Sequence, residues 1–477
     1  MNGPAGARKE TLYEALAGEL ARLVQAGTLR LGDRLPSVRR MSQQKTLSLT
    51  TVLQAYRLLE DQGIIEARPQ SGYYVRGALP QPAALPEPEL PQTIADPEHV
   101  QVDELVMRVV RDAMRSGLVQ FGAALPAPEL LPTARINRIL ARVARENPQA
   151  ANTVGLPEGM LELRTQVARR MLDIGCALQP DDFVITNGCT EAIHLALQAT
   201  CRPGDLVAVE SPTYFGILQA LEAQGLRALE IPTHTRDGIS LEALSFALEH
   251  HPVRAVVAVT NFSNPLGSCM PEENKRALVD LLARYEIPLI EDDIYGELAF
   301  RGQRPGVAKL YDRRGLVLLC SSFSKDISPS YRVGWIAPGR YQARVEQLKM
   351  ATNIATSVLP QMAIAQFLES GGYDSHLRTI RRAYAQKVNE MVQSVLNHFP
   401  AGTRVSTPTG GFVIWVQLPG EVDSLVLYQR ALAAGITLAP GYIFSASDKY
   451  RHFIRLNAAY MNFAGERALA HLGELAE

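Results

Sequence analysis

Six prolines crowd residues 78–97 (Pro80, Pro82, Pro86, Pro88, Pro91 and Pro97), a density that no helix or central strand tolerates. The stretch predicts an extended, polyproline-II-like spacer. It divides the 477 residues into a small N-terminal piece and a large C-terminal one, each needing its own core. Apolar residues at 47% and charged residues at 20% supply both cores and exclude wholesale disorder.

The N-terminal piece, residues 1–76, reads as three helices and a hairpin. Leu12, Leu16, Leu20, Leu23 and Val24 follow helical spacing and stop before Gly27. Ser37 is placed to cap a short helix through Gln44. Ser48 is placed to cap a third, with Leu49, Val52, Leu53, Tyr56 and Leu59 as its apolar stripe, ending at Gly63. Two β-like runs, Ile64–Arg68 and Tyr73–Val75, flank the turn Pro69-Gln70-Ser71-Gly72. That order predicts a winged helix-turn-helix.

Charge separates the two pieces. The chain's net charge is −1, yet residues 1–76 hold 11 basic and 7 acidic residues, leaving 37 basic and 42 acidic in the remainder. A basic head on an acidic body points the head toward a polyanion. No run of about 18 uncharged apolar residues occurs, and the first residues lack the apolar core of a secretory signal, so a cytoplasmic protein without a membrane partner is expected. Five scattered cysteines (Cys176, Cys189, Cys201, Cys269 and Cys320) form no CxxC pair, so neither a disulfide framework nor a metal site is expected.

The body begins with a predicted connecting helix, Val102–Met114. Beyond residue 119 it alternates strand and helix. Apolar runs at Phe183–Ile185, Leu206–Val209, Val256–Val259, Pro288–Ile290 and Leu316–Leu319 are separated by helical stretches such as Glu191–Thr200 and Glu273–Tyr285. The rhythm predicts an α/β fold, a mainly parallel sheet with helices on both faces.

Ligands of such sheets bind beyond the carboxyl ends of the strands. Those ends carry, in order, Asn187-Gly188-Cys189-Thr190; Ser211-Pro212-Thr213-Tyr214; Asn261 to Gly267 with Asn264; Glu291-Asp292-Asp293-Ile294-Tyr295; and Ser321-Ser322-Phe323-Ser324-Lys325, with Arg332 shortly after. One rim thus offers helix-start amides, an aromatic ring, an amide, a carboxylate, an amine and a guanidinium. An anionic, aromatic, aldehyde-bearing ligand would use all of them.

This set resembles the active site of fold-type I pyridoxal-phosphate enzymes. With the head attached, the chain resembles the MocR/GabR-type regulators of the GntR superfamily, a winged helix-turn-helix fused to an aminotransferase-like domain. The resemblance implies pyridoxal 5'-phosphate as cofactor and Lys325 as its Schiff-base lysine. It implies Asp292 as partner of the ring nitrogen, Tyr295 (one helical turn on) and Asn264 as donors to the phenolate oxygen, and Tyr214 as the stacking ring. The phosphate falls to Cys189, Thr190, Ser322 and Arg332, and a substrate carboxylate to Arg455. In the head it implies phosphate contacts from Arg34, Ser37 and Arg39, major-groove contacts from Ser48, Thr50, Thr51 and Gln54, and a wing tip at Gly72 near the minor groove of double-stranded DNA.

The domains implied are residues 1–76 for DNA binding, 77–118 for linker and connecting helix, and 119–477 for the cofactor domain. The last divides into a large part near 155–340 and a small part of 345–477 with 119–150. A homodimer is implied, as is a small amine or amino acid as effector, sensed by forming an external aldimine. An aminotransferase with a DNA-binding appendage and a regulator sensing the cofactor itself are the alternatives. Two departures stand out. Leu49 and Leu53 occupy recognition-helix positions where many relatives carry arginine, which predicts a shallow salt dependence. Thr153-Val154-Gly155-Leu156 lacks the tyrosine that often reaches a partner subunit's phosphate, which lowers the transamination expected.

Overall fold

The computed structural model describes residues 11–25, 28–30, 32–68, 71–76, 85–90, 96–100, 103–447 and 449–477. They form two compact units. The first holds the described residues up to Arg76, and the second runs from Leu85 to Glu477 apart from Arg301–Gln303.

In the first unit, helices Leu12–Gln25, Val38–Lys45 and Leu49–Asp61 precede strands Ile65–Arg68 and Gly72–Val75. The strands pair antiparallel, Ile65 opposite Val75. Ser37 caps the second helix by accepting from Arg40 N at 3.3 Å, and Ser48 caps the third by accepting from Thr51 N at 3.0 Å. Leu16, Leu20, Met41, Val52, Tyr56, Leu59, Ile65 and Val75 close the core, and Tyr56 OH donates to Pro36 O at 2.8 Å. The expected stripe departs at its first residue: Leu49 is 50% exposed, because it lies in the capped first turn facing away from the core.

Part of the expected spacer is packed structure. Residues 77–84 and 91–95 lie outside the described residues. Residues 85–90 belong to the second unit: Leu85 and Leu90 pack on its core, Glu89 N donates to Gln417 Oε1 at 2.7 Å, and Pro86 O accepts from Val405 N at 3.2 Å. Glu98–His99 then forms an edge strand, and Asp103–Ala113 is the connecting helix, its expected first residue Val102 lying outside the described residues.

The main sheet of the second unit runs in the order Glu98–His99, Arg227–His234, Leu206–Ser211, Val253–Ala258, Leu289–Asp292, Val317–Ser322, Gly334–Ala337 and Val184–Thr186. Gly238–Ile239 pairs beside Arg227–His234. The five strands from Arg227–His234 to Val317–Ser322 are parallel, and Gly334–Ala337 is antiparallel to both of its neighbours. Alternation decides which helices cover which face. Leu318 and Cys320 pack with Ala192 and Leu221 on one side, while Leu319 packs with Leu163 and Val167 on the other, and Val317 there with Leu244 and Leu278. A four-stranded antiparallel sheet (Arg404–Val405, Val413–Gln417, Phe453–Asn457, Ala439–Pro440) builds the smaller C-terminal part. Among the described residues, no helix is long and apolar enough to cross a membrane, no group of His, Cys, Asp and Glu could hold a metal, and all five cysteines are free.

Candidate functional site

Register fixes one wall of the site. Asp292 pairs with Cys320 and Ser322 pairs with Gly334, which in turn pairs with Thr186, so four strand ends finish on a common rim. Asp292 is the last residue of its strand, and Tyr295 follows after a turn, before the short helix Gly296–Leu298. The expected helical turn between them is therefore absent, because Asp292 is still held in the sheet. The rim opens into a cavity of about 450 Å³ whose wall includes Cys189, Thr190, Tyr214, Asn264, Asp292, Tyr295, Ser322, Lys325 and Arg332.

Burial sets the chemistry of its charged groups. Lys325 Nζ donates to Ala124 O at 2.7 Å. Desolvation, reinforced by the positive charge of Arg455 and opposed by Asp292, brings its ammonium down to about 8. Burial pushes the Asp292 carboxyl up to about 6. Its Oδ1 accepts from Ile294 N at 3.1 Å and from Cys189 Sγ at 3.3 Å, which partly offsets that rise. Tyr295 is buried edge-on against Phe412, with ring centroids 5.5 Å apart. Burial also raises the Tyr214 hydroxyl to about 12, so both phenols stay protonated donors at neutral pH.

Two glycines are required by close approach. A Cβ on Gly188, which has φ +83°, would lie 2.4 Å from Arg332 Nη2, and one on Gly216 would lie 2.4 Å from the Tyr214 ring. Gly188 leads directly into the helix Cys189–Thr200 and gives it no side-chain cap. Free amides at a helix start with a guanidinium alongside make an anion cradle. Arg332 is itself held by Asn187 O at 3.1 Å.

Arg455 sits deeper, on the strand Phe453–Asn457 and off the cavity wall. It is fully buried, donates to Asn264 Oδ1 at 3.3 Å and to Gly122 O, and its Nε has no hydrogen-bond partner among the described residues. Burial lowers it to about 10. Asn457 Nδ2 holds the same covering segment through Ala123 O at 2.6 Å and Leu125 O at 2.8 Å.

In the head, Thr50, Gln54, Arg34 and Arg39 are exposed, whereas Ser48 and Thr51 share a hydroxyl contact of 2.8 Å. Ser37 also has its hydroxyl at a helix cap. Gly72, with φ +108°, lies against the Arg34 guanidinium, where a Cβ would stand 3.4 Å from Nε. Of the wing turn, Pro69 and Gln70 lie outside the described residues.

The model of the aminotransferase class I and II family matches residues 130–471. The chain belongs to that family. The model of the gntR family of bacterial regulatory proteins matches residues 12–75. The uncharacterized HTH-type transcriptional regulator YjiR of Escherichia coli K12 is 40% identical over 468 residues, covering 97% of this chain and 98% of that protein. The chain is thus a MocR/GabR-type regulator, a gntR-type head joined to an aminotransferase-like domain. The Pyrococcus horikoshii kynurenine aminotransferase superposes with TM-score 0.74 at 28% identity, covering 79% of this chain and 95% of that one. Thermus thermophilus LysN, an alpha-aminoadipate aminotransferase, superposes with TM-score 0.73 at 28% identity and the same coverage. The domain therefore has fold type I.

Sequence reasoning missed part of the wall. Val106, Val110 and Met114, in or just after the connecting helix, line the cavity, as do Gly122 to Leu125. A signal existed in that helix: Met107, Val110 and Met114 give it a second apolar face beyond the Val106 and Val109 that the core buries.

Proposed function

We propose that this chain is a pyridoxal-phosphate-dependent transcription regulator that senses an amine or amino acid and answers through DNA. Residues 1–76 would bind DNA, 77–118 would connect, and 119–477 would sense. One observation carries the reading: a single cavity gathers Lys325, Asp292, Tyr295, Asn264, Tyr214, Ser322, Arg332 and the helix start at Cys189 and Thr190. These residues fit the cofactor on three counts. An amine brought down to about 8 keeps an appreciable neutral, nucleophilic fraction at pH 7. A carboxylate pushed up by burial is short of a cation, which a ring N–H⁺ provides. The cradle at Gly188 and Arg332 suits a phosphate.

When bound, pyridoxal phosphate supplies an electrophilic aldehyde and an electron-withdrawing ring. Lys325 would hold the aldehyde carbon and yield that place to the effector's amine. Asp292 would keep the ring nitrogen protonated, and Tyr214 would stack on the ring. Tyr295 and Asn264 would donate to the phenolate oxygen, while Ser322, Arg332 and the amides of Cys189 and Thr190 would hold the phosphate. Arg455 keeps one N–H unpaired, but it lies off the cavity wall against Gly122, so it would take a carboxylate only if the covering segment gave way. The LysN structure is a complex with N-(5'-phosphopyridoxyl)-L-leucine, which supports amino-acid chemistry of this kind in the fold. A homodimer acting in the cytoplasm would present two heads to two half-sites, with Thr50 and Gln54 toward the major groove. The effector shifts DNA binding only through unequal affinity for two arrangements of the dimer.

The test is the visible absorption spectrum of the protein mixed with pyridoxal phosphate. A new band in wild type that is absent from Lys325→Ala is expected, and identical spectra would overturn the reading. The aminotransferase alternative draws support from the two solved neighbours, both aminotransferases. Turnover of amino acids at ordinary transaminase rates would favour it.

A further inference from the structure

We infer that the effector is an amino acid with an uncharged, apolar side chain, read by the helix Asp103–Ala113. The inference rests on the cofactor reading above and adds the effector's class to it. Among the described residues, the formally charged ones of the cavity wall are Asp292, Lys325 and Arg332, and the cofactor claims all three. The wall beyond them is neutral. Val106 and Val110 come from the connecting helix, Ile193 from the first turn after Cys189, and Phe215 from the start of the helix Phe215–Ala223. The polar side chains of this remainder include Gln219, His194 and Ser324. Burial holds the His194 imidazole below its usual range, hence neutral at pH 7, with Gln224 Nε2 at 3.3 Å from its Nδ1.

Lys325 fixes where the effector's amine must arrive, so the rest of the effector fills the neutral remainder of the same cavity. A distal carboxylate or ammonium there would lose its hydration and meet no opposite charge. An aliphatic or aromatic side chain instead removes apolar area from water and can pack on the Phe215 ring. The helix is well placed to do the reading. Val106 and Val109 anchor it in the core, while Met107, 44% exposed, reaches the cavity's edge, where a changed side chain leaves the core intact.

The experiment uses the full-length protein loaded with pyridoxal phosphate, titrated with L-phenylalanine, L-leucine, L-glutamate and L-lysine while the cofactor band is followed. L-Phenylalanine and L-leucine are expected to bind at least tenfold more tightly than the two charged amino acids. In Met107→Arg, L-glutamate should gain about tenfold relative to L-phenylalanine, since the wall then carries a cation; the band before titration verifies folding. Charged amino acids binding as tightly in wild type, no response to any of the four, or an unchanged ranking in Met107→Arg would each overturn the inference. A protein whose spectrum with pyridoxal phosphate equals that of Lys325→Ala overturns the cofactor reading instead, so the two failures are distinguishable.

Discussion

The head keeps its candidate recognition residues in water, whereas the body hides its own candidates: Thr50 and Gln54 are exposed, while Asn264, Asp292 and Ser322 retain only 5%, 4% and 5% of their exposure. The difference follows from what each must meet. A duplex is wider than the head, so recognition there needs a convex surface of short side chains on one capped helix. A small amine needs a concave, desolvated site, where burial moves Lys325 and Asp292 away from their ordinary proton affinities. Surface recognition is therefore governed by screening and salt, and cavity recognition by desolvation.

The sharpest break between the two is Lys325→Ala. It should abolish the cofactor band completely while leaving effector-free DNA binding by the head intact, as measured by absorption and by gel shift on the same preparation. Next in size is pH. With Lys325 lowered to about 8, its neutral fraction rises about tenfold per unit below that value and saturates above it. Cofactor capture should accelerate about 50-fold between pH 6 and 8 and level off above pH 9, rather than climb toward the range of a free lysine. Stopped-flow absorbance checks this.

Gly188→Val comes third. Its Cβ collides with Arg332, so affinity for the phosphate should fall on the order of tenfold or more, the worth of a charge-assisted hydrogen bond. Equilibrium dialysis reads that loss, and DNA binding should not follow it. In the head, the double substitution Thr50→Ala, Thr51→Ala should weaken specific DNA binding by about tenfold, the scale of a lost base contact. The cofactor spectrum should stay unchanged, and equal affinity for any duplex before and after would count against groove reading. Smallest is Ser48→Ala, which removes a helix cap and should destabilise the head by about 1 kcal/mol in denaturant unfolding, without altering the body's transition.

Legibility in the sequence followed burial. The five anticipated strands appear within a few residues of their runs, because strands covered on both faces need unbroken apolar stretches. Arg227–His234 escaped notice because Glu230 and Pro232 interrupt its pattern; Glu230 is satisfied in the structure by Ser211, Ser445 and Lys449. Gly334–Ala337 escaped because four residues starting with glycine carry little signal, although that strand supplies the antiparallel step in the sheet. The nine cofactor candidates, which one cavity gathers, were picked out because each lies at the end of a strand of the main sheet or in a connection next to one. Gly188 against Arg332, Ala124 O against Lys325, and Cys189 against Asp292 were not, since each joins residues 100 or more apart and depends on register.

The order of apolar runs, caps and loop chemistries in the chain determined by itself the two-part organisation, the winged helix-turn-helix and the set of rim residues, because periodicity and capping are local properties. Only the tertiary structure decided that Arg455 lies beneath the segment Gly122–Leu125, that Leu49 stands in solvent, and that the apolar residues of the helix Asp103–Ala113 line the cavity. Those outcomes depend on which surfaces exclude water from which charges, and exclusion is a property of the packed whole.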